Sequence, residues 1–131
     1  MAQFDDGRPI YRQIAEQIKA QILSGALLEG EQVMSTNQYA AFYRINPATA
    51  AKAFAELVDE GILYKRRGIG MFVSDGAREA LMVERRRLFA SELLAPLVRE
   101  ARHLGMGIAE LQTELASVYA SLEKENDERS S

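Results

Sequence analysis

The chain has 131 residues, a formal net charge of −3 and 47% hydrophobic residues, which is enough apolar side chain for a folded core and excludes a disordered chain. It contains no cysteine, which excludes disulfides and thiolate metal sites and is typical of a reducing compartment. The acidic start of the chain does not resemble a signal peptide, and no apolar run approaches the roughly 18 residues that span a bilayer. We therefore expect a cytoplasmic protein without a membrane partner.

A net negative charge argues against a nucleic-acid partner, because DNA-binding domains are usually basic. The charge is unevenly distributed, however. Residues 1–74 carry equal numbers of basic and acidic side chains, so the acidic excess lies in 75–131. Between Gln32 and Ala55 there are two basic residues, Arg44 and Lys52, and no acidic residue. The first part of the chain can therefore present a local basic face.

Two helices are predicted in the first third of the chain. The first begins at Pro9, a favoured residue for a first turn, and ends at Ser24-Gly25. After a turn-rich stretch, Ser35 or Thr36 can cap the second helix. Isoleucines at four-residue spacing form the apolar stripe of the first helix: Ile10, Ile14, Ile18 and Ile22.

A third helix and a β-hairpin follow. Asn46 is a strong N-cap, and Pro47 occupies the first helical position. The strand-like runs 62–65 and 71–73 flank a glycine-containing loop, 66–70, and so predict a hairpin. The inner face of the third helix is expected to consist of Ala50, Ala53, Phe54, Leu57 and Val58.

The pattern from about Ala77 is helical again. Pro96 should kink this helix or lower its stability, and the glycines in 105–107 should end it. The final helix carries a heptad-like seam that is too short for an independent coiled coil, followed by a polar end, 123–131, that we expect to be frayed. Apolar side chains of the two tail helices should cover one another in part and otherwise meet a second chain. The expected dimerisation residues are Leu93, Leu97, Leu104, Ile108, Leu111, Leu115, Val118 and Leu122.

Three helices followed by a hairpin are the elements of a winged helix-turn-helix. The first turns of the third helix would enter the major groove of DNA and present Ala48, Thr49 and Lys52. Arg66 and Arg67, beside a glycine at the hairpin tip, would provide a second contact.

Three motifs in this sequence resemble the DNA-binding signature of the GntR family of bacterial regulators. They are Pro9-Ile10-Tyr11, the turn Gly30 to Ser35, and the wing Arg66 to Val73. The segment 45–54 resembles the YtrA-type subfamily, as does the short two-helix tail. Met34 replaces the usual proline, and Asn37 replaces an arginine that contacts DNA in the family. With the resemblance, the residues expected to contact DNA are Ser35, Asn37, Arg44, Asn46, Ala48, Thr49, Lys52, Arg66, Arg67 and Gly68.

The sequence therefore predicts a mainly α fold with a small β-hairpin wing. Residues 1–74 form the DNA-binding domain and 75–131 a helical dimerisation region. The predicted function is a DNA-binding transcription regulator, a repressor, that acts as a homodimer on a palindromic operator. The alternative is a winged-helix module for protein interaction that binds no DNA. We expect no enzymatic activity, cofactor or metal, and any small-molecule effector would bind between the tail and the DNA-binding domain or between subunits.

Overall fold

The computed structural model describes residues 7–130, so the segment 1–6, where we expected no signal peptide, and Ser131 lie outside the described residues. Six α-helices and a two-stranded antiparallel hairpin in the described part confirm the predicted mainly α fold with a β-hairpin wing. The chain divides into two compact units, of which the first ends at Arg85 and the second begins at Arg86. The elements are α1 Ile10–Ser24, α2 Thr36–Tyr43, α3 Pro47–Asp59, β1 Leu63–Arg66, β2 Gly70–Val73, α4 Ala77–Phe89, α5 Ala95–His103 and α6 Ile108–Ser130, with a π-helical turn Ala90–Leu94 between α4 and α5.

The core of the first unit forms around α1 and α3, which pack against each other. Ile14, Ile18 and Ile22 are at most 2% exposed, as their four-residue spacing predicts. The prediction for Ile10 is wrong: it is 42% exposed, because it is the first residue of α1 and precedes the part of the stripe that reaches the core. The buried inner face of α3 is Ala50, Ala53, Phe54 and Leu57, while Val58 is partly buried.

The wing has a third, irregular strand that the sequence did not predict. The backbone of Gly30 donates to Val73, Val73 donates to Glu31, and Val33 donates to Met71, at 2.8 to 3.0 Å. The segment 30–33 therefore lies along β2 and supports its outer edge. Within the hairpin, Arg66 pairs with Gly70, which shortens the loop from the expected 66–70 to 67–69.

The start of α4 is fixed to the first unit. Ala77 and Leu81 are buried in its core, and both carboxylate oxygens of Glu29 accept backbone N–H groups, from Gly76 at 3.0 Å and from Arg78 at 3.1 Å. These two hydrogen bonds satisfy donors that an N-terminal helical turn leaves unpaired. They also lower the pKa of Glu29 below its ordinary value, because they favour the charged carboxylate.

The second unit contains little core of its own. Between Arg86 and Ser130, Ala101 is the only buried residue. Pro96 does not end the helix: the Ala95 N–H reaches back five residues to the Ala90 carbonyl, so a π-helical turn precedes the proline. A proline has no N–H and its ring crowds the carbonyl four residues earlier, and a wider turn accommodates both effects.

The end of α6 also differs from expectation. The sequence predicts a frayed terminus over 123–131, but α6 continues to Ser130. The physical reason is that glutamate, lysine and arginine, which dominate this stretch, are strong helix formers even without a core. In the part of the chain that the structure describes, no helix is both long and apolar enough to cross a membrane.

Candidate nucleic-acid interface

The helix-turn-helix is built on a tight turn between α2 and α3. Arg44 ends α2 in the left-handed conformation, with a φ of 55°, and the Ile45 N–H donates to the Ala40 carbonyl at 2.9 Å. A side chain at positive φ is uncommon outside glycine and short polar residues, so the turn itself imposes this conformation on Arg44. The Arg44 side chain is exposed and stands between the two helices of the motif.

Two of the predicted DNA contacts are also helix caps. The Ser35 hydroxyl accepts the Gln38 N–H at 3.1 Å while the Gln38 side chain accepts the Ser35 N–H at 3.0 Å, which is a capping box at the start of α2. The Asn46 side chain accepts the Ala48 N–H at 2.8 Å at the start of α3. Both caps confirm the predicted helix starts. A hydroxyl or amide used in this way keeps donor groups that can meet a phosphate.

The outer face of α3 has the predicted composition. Ala48 and Lys52 are exposed and Thr49 is half-buried. The Lys52 ammonium lies 4.1 Å from the centre of the Tyr11 ring on α1, and the Arg12 guanidinium lies 5.6 Å from the same ring. The two cations therefore gather around one aromatic ring at the start of α1, and the ring attracts them electrostatically.

The acidic residues of α3 begin at Glu56, one turn after Lys52 and on the same side of the helix. The first two turns of α3 contain no acidic residue, and the C-terminal Glu60 forms an ion pair with Lys19 of α1 at 3.0 Å. This pairing offsets a negative charge that would otherwise repel phosphate.

The predicted wing contacts lie at the end of β1 and on the loop that follows it. Arg66, Arg67 and Gly68 are exposed, and the Arg66 guanidinium lies 5.4 Å from the Phe72 ring centre. Gly68 has a φ of 77° in the turn closed by the Ile69 N–H and the Arg66 carbonyl. A type II turn requires glycine at this position.

A side chain from outside the hairpin holds the wing loop. The Gln32 amide donates to the Ile69 carbonyl at 3.0 Å. A β-carbon at Gly70 would lie only 2.5 Å from the Gln32 amide nitrogen, so only glycine leaves room for this hydrogen bond. The supporting roles of Gln32 and Tyr11 were not predicted from the sequence. Tyr11 belongs to a recognisable motif, but nothing in the sequence alone pairs it with Lys52.

The predicted DNA contacts Asn37 and Arg44 lie at opposite ends of α2. Asn37 is exposed in the first turn of α2 and takes no part in the capping box at Ser35. Arg44 is exposed at the other end of the same helix. The structure thus brings Lys52 together with the start of α1, places Ser35 and Asn37 at the start of α2, and places the wing residues at the end of β1 and on the loop 67–69.

Most of the apolar side chains predicted to dimerise are exposed in one chain. Leu104 is 67% exposed and Ile108 is 72% exposed, although both flank the turn between α5 and α6. Most of both stripes is thus exposed in one chain, while the buried Ala101 and the half-buried Leu111 leave the expected partial cover within one chain a prediction. The exposed set comprises Leu93, Leu97, Leu104, Ile108, Leu115, Val118 and Leu122, and Leu111 is half-buried.

Comparison with known proteins gives consistent results. Residues 10–73 match the family described as bacterial regulatory proteins, gntR family. The chain is 33% identical over 121 residues to the HTH-type transcriptional repressor YtrA of Bacillus subtilis, covering 91% of this chain and 92% of that protein. It is 44% identical over 66 residues to the HTH-type transcriptional repressor NagR of the same organism, which is 50% of this chain but 27% of NagR. A crystal structure of a putative GntR-family regulator from Bacteroides thetaiotaomicron aligns with a TM-score of 0.73 and 29% identity, covering 86% of this chain and 98% of the other.

Proposed function

Because the chain belongs to the GntR family of bacterial regulatory proteins and is a DNA-binding transcription regulator, we propose that it is a cytoplasmic repressor that binds a palindromic operator as a homodimer. The likeness to YtrA extends over both units, and YtrA is a repressor by its name. A winged helix that binds only protein is the less favoured alternative, since the relatives are HTH-type regulators.

The first turns of α3 carry the proposed recognition of DNA. This part of the helix starts at a capped turn and presents Thr49 and Lys52, and its first acidic residue, Glu56, comes one turn after Lys52. Thr49 would contact a base edge or phosphate, and Lys52 would neutralise a phosphate or meet a guanine. Arg66 and Arg67 of the wing would lie along an adjacent groove, where arginine responds to groove width.

The exposed apolar seam of the tail supports the homodimer. A patch of this kind is uncommon on a monomer and marks an interaction surface. A second copy of the same seam would give a two-fold interface, and a two-fold protein matches a palindromic site.

Selection of bound sequences from random DNA tests this proposal directly. We expect a palindrome with half-sites about one helical turn apart, and an affinity that falls steeply with salt as counterions are released. Lys52→Ala should lower the affinity and reduce the salt slope by about 1. Thr49→Val should change base preference more than affinity for random DNA. Recovery of no common sequence, together with salt-independent binding, would refute the proposal.

A further inference from the structure

The first unit contains a cavity of about 310 Å³ whose lining includes none of the side chains proposed to contact DNA. Its floor is apolar and includes Ile18, Val33 and Phe54, all of which are buried core residues. This volume is at the lower end of the range for small-molecule sites, which are concave and mostly apolar with a few polar groups.

One wall of the cavity is aromatic. The ring of Tyr39 lies 4.5 Å from that of Tyr43 and 5.5 Å from that of Phe54, measured between centres. The Tyr39 hydroxyl donates to the side-chain carbonyl of Gln17 at 2.6 Å, and burial raises its pKa above the ordinary value. The tyrosine therefore stays neutral and its hydroxyl is already satisfied, so the wall offers ring faces rather than charge.

Among the described residues that line the cavity, Glu31 is the only charged one. One of its carboxylate oxygens accepts the Leu28 N–H at 3.0 Å, and a carboxylate has further acceptor sites. Gln21 and Gln32 supply the neighbouring amides. A cavity lined by one carboxylate and several aromatic rings suits an ammonium group attached to a small apolar body, and it disfavours an anion.

The cavity is lined by the same elements that hold the DNA-contacting parts in place. Glu31 and Val33 are hydrogen-bonded through their backbones to β2, and the Gln32 side chain holds the wing loop at Ile69. On the opposite side, Tyr39 and Tyr43 belong to α2 and Phe54 to α3. A molecule in the cavity would therefore touch the support of the wing and both helices of the motif at once.

We propose that this cavity is an effector site for a small aromatic or aliphatic amine, and that occupancy weakens operator binding by displacing the segment 30–33 that supports the wing. The effect on DNA rests on the proposed function, whereas binding of the amine does not.

Three probes of similar shape but different charge test the binding step: 2-phenylethylamine, 2-phenylethanol and 3-phenylpropanoate. Titrated into the full chain and followed by backbone amide NMR, the amine should bind most tightly and the carboxylate least, with shifts centred on Val33 and Tyr39. Glu31→Gln, which keeps an acceptor for the Leu28 N–H, should weaken the amine about threefold and leave the alcohol unchanged. Glu16→Gln, an exposed carboxylate of α1 outside the cavity, is the matched control.

Ala26→Phe provides an independent test, because Ala26 is an exposed lining residue and a larger side chain there fills the cavity without repacking the core. Saturable binding of all three probes should be lost in this variant. Equal affinities for the three probes, or unchanged binding in Ala26→Phe, would overturn the site.

The regulatory step is tested with DNA. Saturating 2-phenylethylamine should weaken operator binding at least about threefold, which corresponds to a modest coupling between two sites. The amine should have no effect on the residual operator binding of the double variant Arg66→Ala with Arg67→Ala, because the wing of that variant makes no charged contact with DNA. An unchanged operator affinity with the amine bound would overturn the coupling. If the chain binds no DNA at all, the proposed function is refuted. The NMR titration would still show whether the cavity binds the amine.

Discussion

Arg66 and Arg67 place two exposed cations at the tip of the wing, with Arg66 held beside Phe72 and Arg67 in the loop. We expect the double substitution to alanine to weaken operator binding by roughly 2–4 kcal/mol, because each charged contact contributes about 1–2 kcal/mol. Fluorescence anisotropy with labelled operator over a range of salt concentrations measures this loss. Lys124→Ala with Arg129→Ala removes the same charge from the exposed end of α6 and should leave binding unchanged. Equal affinity of the wing variant and the wild type would exclude the wing from the interface.

Asn46 and Asn37 are two exposed asparagines with different structural roles. Asn46→Ala removes the cap of α3 and should lower the free energy of unfolding by about 1 kcal/mol. Asn37→Ala removes no cap and should leave stability nearly unchanged while it weakens DNA binding. Urea denaturation of both variants compares them directly. If Asn46→Ala unfolds at the wild-type urea concentration, the cap does not stabilise the recognition helix.

The helix caps were predictable from the sequence. The rules for caps identified Ser35 and Asn46 because a cap depends on only three or four neighbouring residues. The position of Lys52 over Tyr11 could not be predicted, since it depends on how α3 packs on α1. The exposure of Ile10 was missed for a related reason: periodicity defines a stripe but not where the core ends along it.

At the scale of elements, Glu29 joins the turn after α1 to the start of α4. Its folded-state pKa is lowered, so its contribution to stability is fully present above the ordinary value of 4.5 and is lost as the pH falls through the folded-state value. We therefore expect the amides of Gly76 and Arg78 to lose protection from hydrogen exchange in that acidic range. Glu29→Ala should show the same loss at neutral pH, and Glu79→Ala, in the first turn of α4, should not. Full protection of both amides in Glu29→Ala would contradict this role.

The helices and the hairpin were predictable from periodicity and caps, but the segment 30–33 and the π-helical turn were not. The strand-like segment 30–33 begins with a glycine and two polar residues and carries a single apolar side chain, Val33, so only its pairing with β2 defines it. The π-helical turn was missed because the rule for proline predicts a disturbance of the helix without specifying its form. In both cases the local sequence permits several backbone conformations. Pairing with β2 selects one for the segment 30–33, and the missing N–H of Pro96 selects the π-helical turn.

At the scale of the whole molecule, the seam of α6 should determine the oligomeric state. Leu111→Asp with Leu115→Asp places two charges in this seam, which a buried interface cannot solvate. We expect monomers in sedimentation velocity and much weaker binding of the operator. Thr113→Asp with Ser117→Asp puts the same charges, at the same spacing, on the opposite face of α6 and should remain dimeric. An intact dimer in the leucine variant would exclude this interface.

The apolar positions of the tail were predictable from their spacing, but which residues cover them was not. A heptad-like pattern indicates that one face needs a partner without specifying whether the partner is α5 or another chain. The exposure of Leu104 and Ile108 answers part of that question, because neither is covered within its own chain.

The unpartnered seam has a consequence for how sharply the regulator responds to its own abundance. In the proposed homodimer, the form that occupies the operator consumes two chains. While most chains are monomeric, its concentration follows the square of the chain concentration by mass action, so halving synthesis would lower the active form about fourfold. A tail that leaves most of its apolar side chains exposed in the single chain would thus convert a gradual change in protein level into a steeper change in gene output.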